Sequence, residues 1–116
     1  DITIGKGVLI NLSCTIGHDV FIDDFVELCP DVNVSGNCKI GKFTFVGPHS
    51  VIMPGTSIGK GSIVSAYSLV KGEFPDFAIL AGNPAQQVGD TREMDKKQLE
   101  RYPELQSYYD EWAKSE

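Results

Sequence analysis

The sequence predicts an all-β solenoid of about four triangular coils, followed by a C-terminal α-helical tail. Three observations predict the solenoid. Every sixth residue from Ile4 to Val70 is Ile, Leu or Val, without a slip, as at Ile4, Ile22, Ile40 and Ile58. The residue two before each is small or β-branched, from Ile2 and Val8 through Cys14 and Val32 to Ser62 and Ser68. The residue after each favours Gly, Asn or Asp, as at Gly5, Asn11, Gly17, Asp23, Gly41, Gly47 and Gly59.

A period of six matches neither the 3.6 of a helix nor the 2 of a strand. It fits a short strand and a tight turn, repeated. Alternate strand residues then point to one axis, and each coil stacks on the next at about 4.8 Å. Gly, Asn and Asp after the aliphatic are expected to supply positive φ at the turns. Three hexads close a triangle, so residues eighteen apart stack vertically. The period itself fixes neither the number of sides nor the hand.

The frame ends after Val70, and Glu73 to Phe77 reads as a break before Ala81-Gly82-Asn83-Pro84-Ala85. From Asp95 onward Leu99, Tyr102, Leu105, Tyr108, Tyr109 and Trp112 recur at helical spacing, the second of two short helices starting near Pro103. The expected division is a β-helix over residues 1–89 and a helical extension over 90–116. The frame begins at residue 2 with no atypical first repeat. Either a longer chain or another subunit is expected to cover that end.

The bulk properties narrow the function. A net charge of -6 and a pI near 4.8 argue against nucleic acid as a partner. No apolar run reaches the roughly 20 residues of a membrane span, and no signal-peptide pattern opens the chain. Cys14, Cys29 and Cys38 are odd in number and lack CxxC spacing, so neither a disulfide framework nor a metal site is expected. A reducing cytoplasm is the expected setting.

Stacking arithmetic sorts the corners. Lys6, Asp24, Lys42 and Lys60 form a solvated column, and Leu12, Pro30, Pro48 and Ala66 an apolar one. The third column is His18, Gly36, Pro54 and Gly72. It sets one titratable ring beneath small or rigid residues, so it leaves a groove for a long thin ligand with its reactive end at His18. A further column, Leu9, Glu27, Phe45 and Ile63, is mostly apolar and expected to face outward, as an interface in a threefold assembly would. His49 stacks between Asp31 and Tyr67, where bonding to a stacked neighbour is expected rather than chemistry.

These repeats resemble the left-handed parallel β-helix acyltransferases. Ile16-Gly17-His18-Asp19-Val20, Asp24 to Pro30 and Gly82-Asn83-Pro84-Ala85 are similar to the sialic-acid O-acetyltransferase type, which includes N-acetyltransferases of nucleotide-linked amino sugars. The resemblance covers roughly residues 2–88. It implies a homotrimer with acetyl-CoA between adjacent β-helices and a sugar or nucleotide-sugar acceptor, in bacterial surface-polysaccharide assembly. It places the catalytic histidine at His18, its orienting acid at Asp19, and the amide near the acetyl carbonyl at Gly36. Glu27 stands where many members have a second histidine, and Gln86 where a basic residue commonly follows Asn-Pro-Ala. Many members also carry an N-terminal sugar-binding domain that these 116 residues do not include. The expected donor-binding residues are Glu27, Gly36, Pro54, Lys60, Asn83 and Pro84, with no metal.

A neutral imidazole is suited to take the proton of an attacking amine or hydroxyl at neutral pH. His18 is therefore read as the general base, against the plainer reading of a surface histidine. A non-catalytic β-helical trimerisation scaffold is the alternative function. A γ-class carbonic anhydrase needs three histidine ligands, and the chain has two histidines.

Overall fold

The computed structural model describes residues 1–93, 100 and 103. Among the described residues fifteen short strands follow one another. In chain order they are β1 (Ile2–Ile4), β2 (Leu9–Ile10), β3 (Thr15–Ile16), β4 (Val20–Ile22), β5 (Glu27–Leu28), β6 (Asn33–Val34), β7 (Lys39–Ile40) and β8 (Phe45–Val46). Then come β9 (Val51–Ile52), β10 (Ser57–Ile58), β11 (Ile63–Val64), β12 (Leu69–Val70), β13 (Glu73–Phe74), β14 (Ala78–Gly82) and β15 (Ala85–Asp90). They form three parallel faces: β1-β4-β7-β10-β13, β2-β5-β8-β11-β14 and β3-β6-β9-β12. The architecture is an all-β parallel solenoid of about four triangular turns.

The aliphatic of each hexad fills the interior. Ile22, Leu28, Ile40, Val46, Ile52, Val64 and Val70 are all fully buried. Each such side chain contributes about 1.5–3 kcal/mol of burial. The lowest coil has nothing beneath it in this chain, so the equivalent Ile4 and Ile10 are 45% and 39% exposed.

The small column two residues earlier caps the corners. Thr44, Ser50, Thr56, Ser62 and Ser68 are buried. Thr44 Oγ1 donates to the Gly59 carbonyl at 3.1 Å, and Ser50 Oγ to that of Ser65 at 3.0 Å. Cys14 and Cys38 fill the same place, their thiols 3.1 and 3.2 Å from the Cys29 and Met53 carbonyls. Ser62 does more. Its Oγ donates to the Gly59 carbonyl at 2.7 Å and accepts from the Ala78 amide at 3.2 Å. Ser62→Ala strands both groups in the interior, and is expected to lower the unfolding free energy by about 1–3 kcal/mol in a urea titration. A loss indistinguishable from zero would mean that solvent already serves these groups.

Three sequence readings are corrected. The stacking does not stop at Val70: β13 pairs with β10, and β14 with β11. The supposed break is a shortened corner. Two residues, Lys71 and Gly72, join β12 to β13, where four join β9 to β10. Gly72 takes φ +121 to make that corner. β15 then returns antiparallel along β14.

Positive φ falls two residues later than expected. Ser13, Asp19, Phe25, Asp31, Asn37, Phe43, His49 and Tyr67 carry it. From Phe25 onward their amides reach the coil below, as Asn37 N donates to the His18 carbonyl at 2.9 Å. The glycines after the aliphatic serve close approach instead. A Cβ on Gly17 would lie 2.7 Å from the Gly36 nitrogen, and one on Gly47 2.7 Å from the Ala66 nitrogen.

The outward apolar column is only partly open. Leu9 is 52% exposed, but Phe45 and Ile63 are buried. The expected helices fall on residues outside those described. Just before them β15 ends at Asp90, and the Thr91 hydroxyl donates to the Gly61 carbonyl at 2.7 Å.

Candidate functional site

The ladder of a triangular solenoid leaves one amide per corner without a backbone acceptor, at the second residue after each aliphatic. The sequence answers in two ways. Pro30, Pro48 and Pro54 have no N–H to satisfy. At Lys6, Leu12, Asp24 and Lys60 a nearby Asp or Asn side chain accepts the amide. Gly36, like His18, Lys42 and Ala66 at the same corner position, has neither remedy. Its N–H donates to no group among the described residues, while its carbonyl accepts from Gly55 N at 3.0 Å.

His18 lies one coil below Gly36 at the same corner. A Cβ on Gly36 would lie 2.7 Å from His18 Nε2 and 2.9 Å from Cε1. The imidazole therefore covers the Gly36 Cα, and only glycine leaves it room. His18 Nδ1 and Asp19 Oδ2 are 3.0 Å apart. That bond leaves Nε2 as the nitrogen free for chemistry. The ring is 73% exposed and the Asp19 side chain 59%.

Asp19 reaches the ring because its own backbone is left-handed, at φ 53. The hydrogen bond with His18 holds its carboxyl below the usual carboxylate value. A depressed acid favours the ionised contact above its ordinary pKa, and the contact is lost as pH falls through the lowered value. The pair should thus persist from neutral pH down to about pH 4. A carbon-detected NMR titration of the Asp19 carboxyl should give a midpoint below 3.9, rising toward it in His18→Ala. An unchanged midpoint in that variant contradicts the pairing.

Pro54 continues this corner one coil above Gly36, and is exposed. The other expected site residues lie elsewhere in the chain. Glu27 is on β5, in the second face, with its carboxylate 4.0 Å from Cys29 Sγ. Lys60 is at another corner, with Nζ 5.8 Å from the centre of the Phe77 ring. Asn83 and Pro84, joined by a cis peptide, form the exposed tip of the β14–β15 hairpin. Four of the eight residues are thus aligned, and four are dispersed over other faces. His49 pairs as expected, with Nε2 3.4 Å from Asp31 Oδ2 and its ring stacked 4.9 Å from that of Tyr67.

Residues that the sequence reading did not single out stand beside Asp19. A depression of about 360 Å³ is lined by Asp19, Phe21, Asn37 and Lys39, among others. Phe21 and Lys39 are direct partners on β4 and β7. Their spacing of three hexads was the available signal. No group of three or more His, Cys, Asp or Glu side chains capable of holding a metal occurs among the described residues. No helix among them is long and apolar enough to cross a membrane.

Comparison with known proteins agrees with this fold. The bacterial transferase hexapeptide (six repeats) family matches residues 37–72. The galactoside O-acetyltransferase of Escherichia coli K12 is 30% identical, over 83% of this chain and 57% of its own length. Soybean serine acetyltransferase complexed with serine superposes with a TM-score of 0.71 at 29% identity, covering 75% of this chain and 40% of that one. The acetyltransferase domain of PglB from Neisseria gonorrhoeae FA1090 gives 0.70 at 27% identity, covering 75% and 51%. The chain spans between 23% and 57% of the length of the curated relatives it matches. Its fold is the left-handed β-helix, residues 37–72 match the hexapeptide-repeat transferase family, and the relatives named here are acetyltransferases.

Proposed function

We propose that the chain is the β-helical part of an acetyl-CoA-dependent acetyltransferase, working as a trimer and acetylating an amine or hydroxyl of a sugar. A nucleotide-linked amino sugar is the acceptor of this reading. One observation carries it: the His18 ring, held by Asp19 at 3.0 Å, lies against Gly36, whose N–H has no acceptor among the described residues. The column of small or rigid residues above, Gly36, Pro54 and Gly72, suits an extended donor. The name of the galactoside O-acetyltransferase relative supports a sugar acceptor.

The donor's thioester supplies an activated acetyl group. His18 Nε2 takes the proton of the attacking amine or hydroxyl as its N or O bonds to the acetyl carbon. Asp19 holds the ring's other nitrogen and stabilises the imidazolium. The Gly36 N–H donates to the carbonyl oxygen as negative charge gathers there. The C–S bond breaks, and His18 returns the proton to the departing thiolate. No acyl-enzyme is required. Glu27, Lys60, Asn83 and Pro84 join the donor site only if an adjacent subunit presents them to this corner, which is why the reading includes a trimer.

Calorimetric titration of acetyl-CoA, with the oligomer mass beside it, tests this without a chosen acceptor. One molecule bound per subunit of a trimer is expected. A well-folded trimer that binds none is the trimerisation scaffold instead.

A further inference from the structure

We infer that Lys71 anchors the donor by its phosphates, at a notch above Pro54, and so holds the donor's arm along the β3-β6-β9-β12 side of the His18 corner. This rests on the acetyltransferase reading above and adds a residue that the expected donor set omits.

The notch comes from the shortened corner. Lys71 and Gly72 alone join β12 to β13, where four residues join β9 to β10. Lys71 stands over Met53, since Val70 pairs with Ile52. Gly72 stands over Thr56, whose Oγ1 accepts its amide at 3.4 Å, and Glu73 pairs with Ser57. No residue of the described top coil therefore stands over Pro54 and Gly55, and both are exposed. A Cβ on Gly55 would meet nothing within 4 Å. The corner that begins at His18 thus ends in a step, with Lys71 on one side and Glu73, beyond Gly72, on the other.

The lysines separate by what holds them and by height. Lys6, Lys42 and Lys60 each keep their ammonium 5.4–5.9 Å from a phenylalanine ring centre. Lys39 and Lys71 are exposed and make no ion pair, hydrogen bond or ring contact among the described residues. Lys39 lies in mid-face on β7, one coil above Phe21. Lys71 borders the His18 corner, three coil steps above it. That climb is about 14 Å at the usual strand spacing. Between its sulfur and its first phosphorus the pantetheine arm has about thirteen backbone bonds, roughly the length of four peptide residues, or about 14 Å extended. With the thioester at His18 Nε2, the phosphates arrive at the notch. Lys39 stands only about 5 Å up, within the span of the uncharged arm.

A phosphate in the notch meets the Lys71 ammonium in a charge-assisted contact. Glu73, exposed and without a partner among the described residues, repels it from the other side. The arm is thereby kept beside Ser35 and Met53, both half-buried and uncharged, and away from Asp19. Gln86, where a basic residue commonly follows Asn-Pro-Ala, is exposed on β15 and uncharged. Lys71 supplies the cation that position lacks.

The test is binding, which needs no turnover. Acetyl-CoA and S-acetylpantetheine, which lacks phosphate, are titrated by calorimetry into the full chain and its variants, with oligomer mass and thermal unfolding beside them. Lys71→Ala should bind acetyl-CoA about fivefold more weakly, and S-acetylpantetheine as the parent does. Lys71→Glu should widen the loss, and about 0.5 M salt should erase the difference between Lys71→Ala and the parent. Lys71 is exposed, so both variants should keep the parent's mass and unfolding midpoint. Lys39→Ala should bind both donors as the parent does. Equal binding of acetyl-CoA by Lys71→Ala and the parent overturns the assignment, as does an equal loss for S-acetylpantetheine. A loss in Lys60→Ala in place of Lys71→Ala puts the phosphates at another corner and overturns it too. Acetyl-CoA that fails to bind the parent removes the donor reading and this assignment with it, whereas a bound donor indifferent to Lys71 removes the assignment alone.

Discussion

His18→Ala is expected to lower kcat for acetyl transfer by about 10²–10⁴-fold while leaving the KM for acetyl-CoA nearly unchanged. The imidazole is the one nitrogen base at this corner, and no other titratable side chain among the described residues stands within hydrogen-bond reach of it except Asp19. Release of the CoA thiol, followed with a disulfide reagent, gives both constants. Gly36→Ala is the companion variant. Its Cβ would meet only the far end of the His18 side chain, so the chain should fold. The ring must then swing away from its place, and the rate should fall with His18 still present. Rates near the parent's in both variants would falsify the general-base role.

Gly41→Ala is expected to cost far more stability than a methyl added at an open corner. The nearest atoms to the new Cβ are backbone, including the Lys60 nitrogen and Cα, at less than 3 Å. Backbone cannot rotate aside as a side chain does, so the two coils must part locally. Overpacking of this kind costs about 1–3 kcal/mol or more, a large fraction of a domain's total of about 5–15. Gly55→Ala is the contrast. Gly55 has positive φ, at 75°, but nothing lies within 4 Å of its Cβ. It should lose only about 1–2 kcal/mol of backbone preference, and Gly55→Asn less. Thermal unfolding of the pair decides the matter. Equal losses would mean that close approach is not what the glycine column supplies.

These glycines also show where sequence legibility ended. The aliphatic frame was plain because one interior demands one large apolar residue per strand, and nothing else imposes a period of six. The frame's extension into β13 was hidden by two missing residues at the Lys71–Gly72 corner. β14 and β15 were readable in principle, from Gly82-Asn83-Pro84 between two alternating stretches. The positive-φ column was misplaced for a physical reason. Glycine answers equally to a left-handed backbone and to a close neighbour, so composition cannot separate them. The residues that carry positive φ include Phe25, Phe43, His49 and Tyr67, whose rings gain stacking and cation contacts that offset the strain. At the site, His18, Asp19, Gly36 and Pro54 share a corner as stacking arithmetic required. The unsatisfied Gly36 amide was not legible, because it depends on what every neighbouring corner does with its own.

β15 has a consequence for assembly. A parallel solenoid is a template at each end, and an identical coil laid on it in register would extend the ladder into a fibre. On the second face the last strand among the described residues is β15, which runs against all the others. A further copy arriving there meets donors and acceptors in antiparallel order, while its other two faces demand parallel pairing. No single register satisfies all three, so β15 opposes end-to-end stacking on that face.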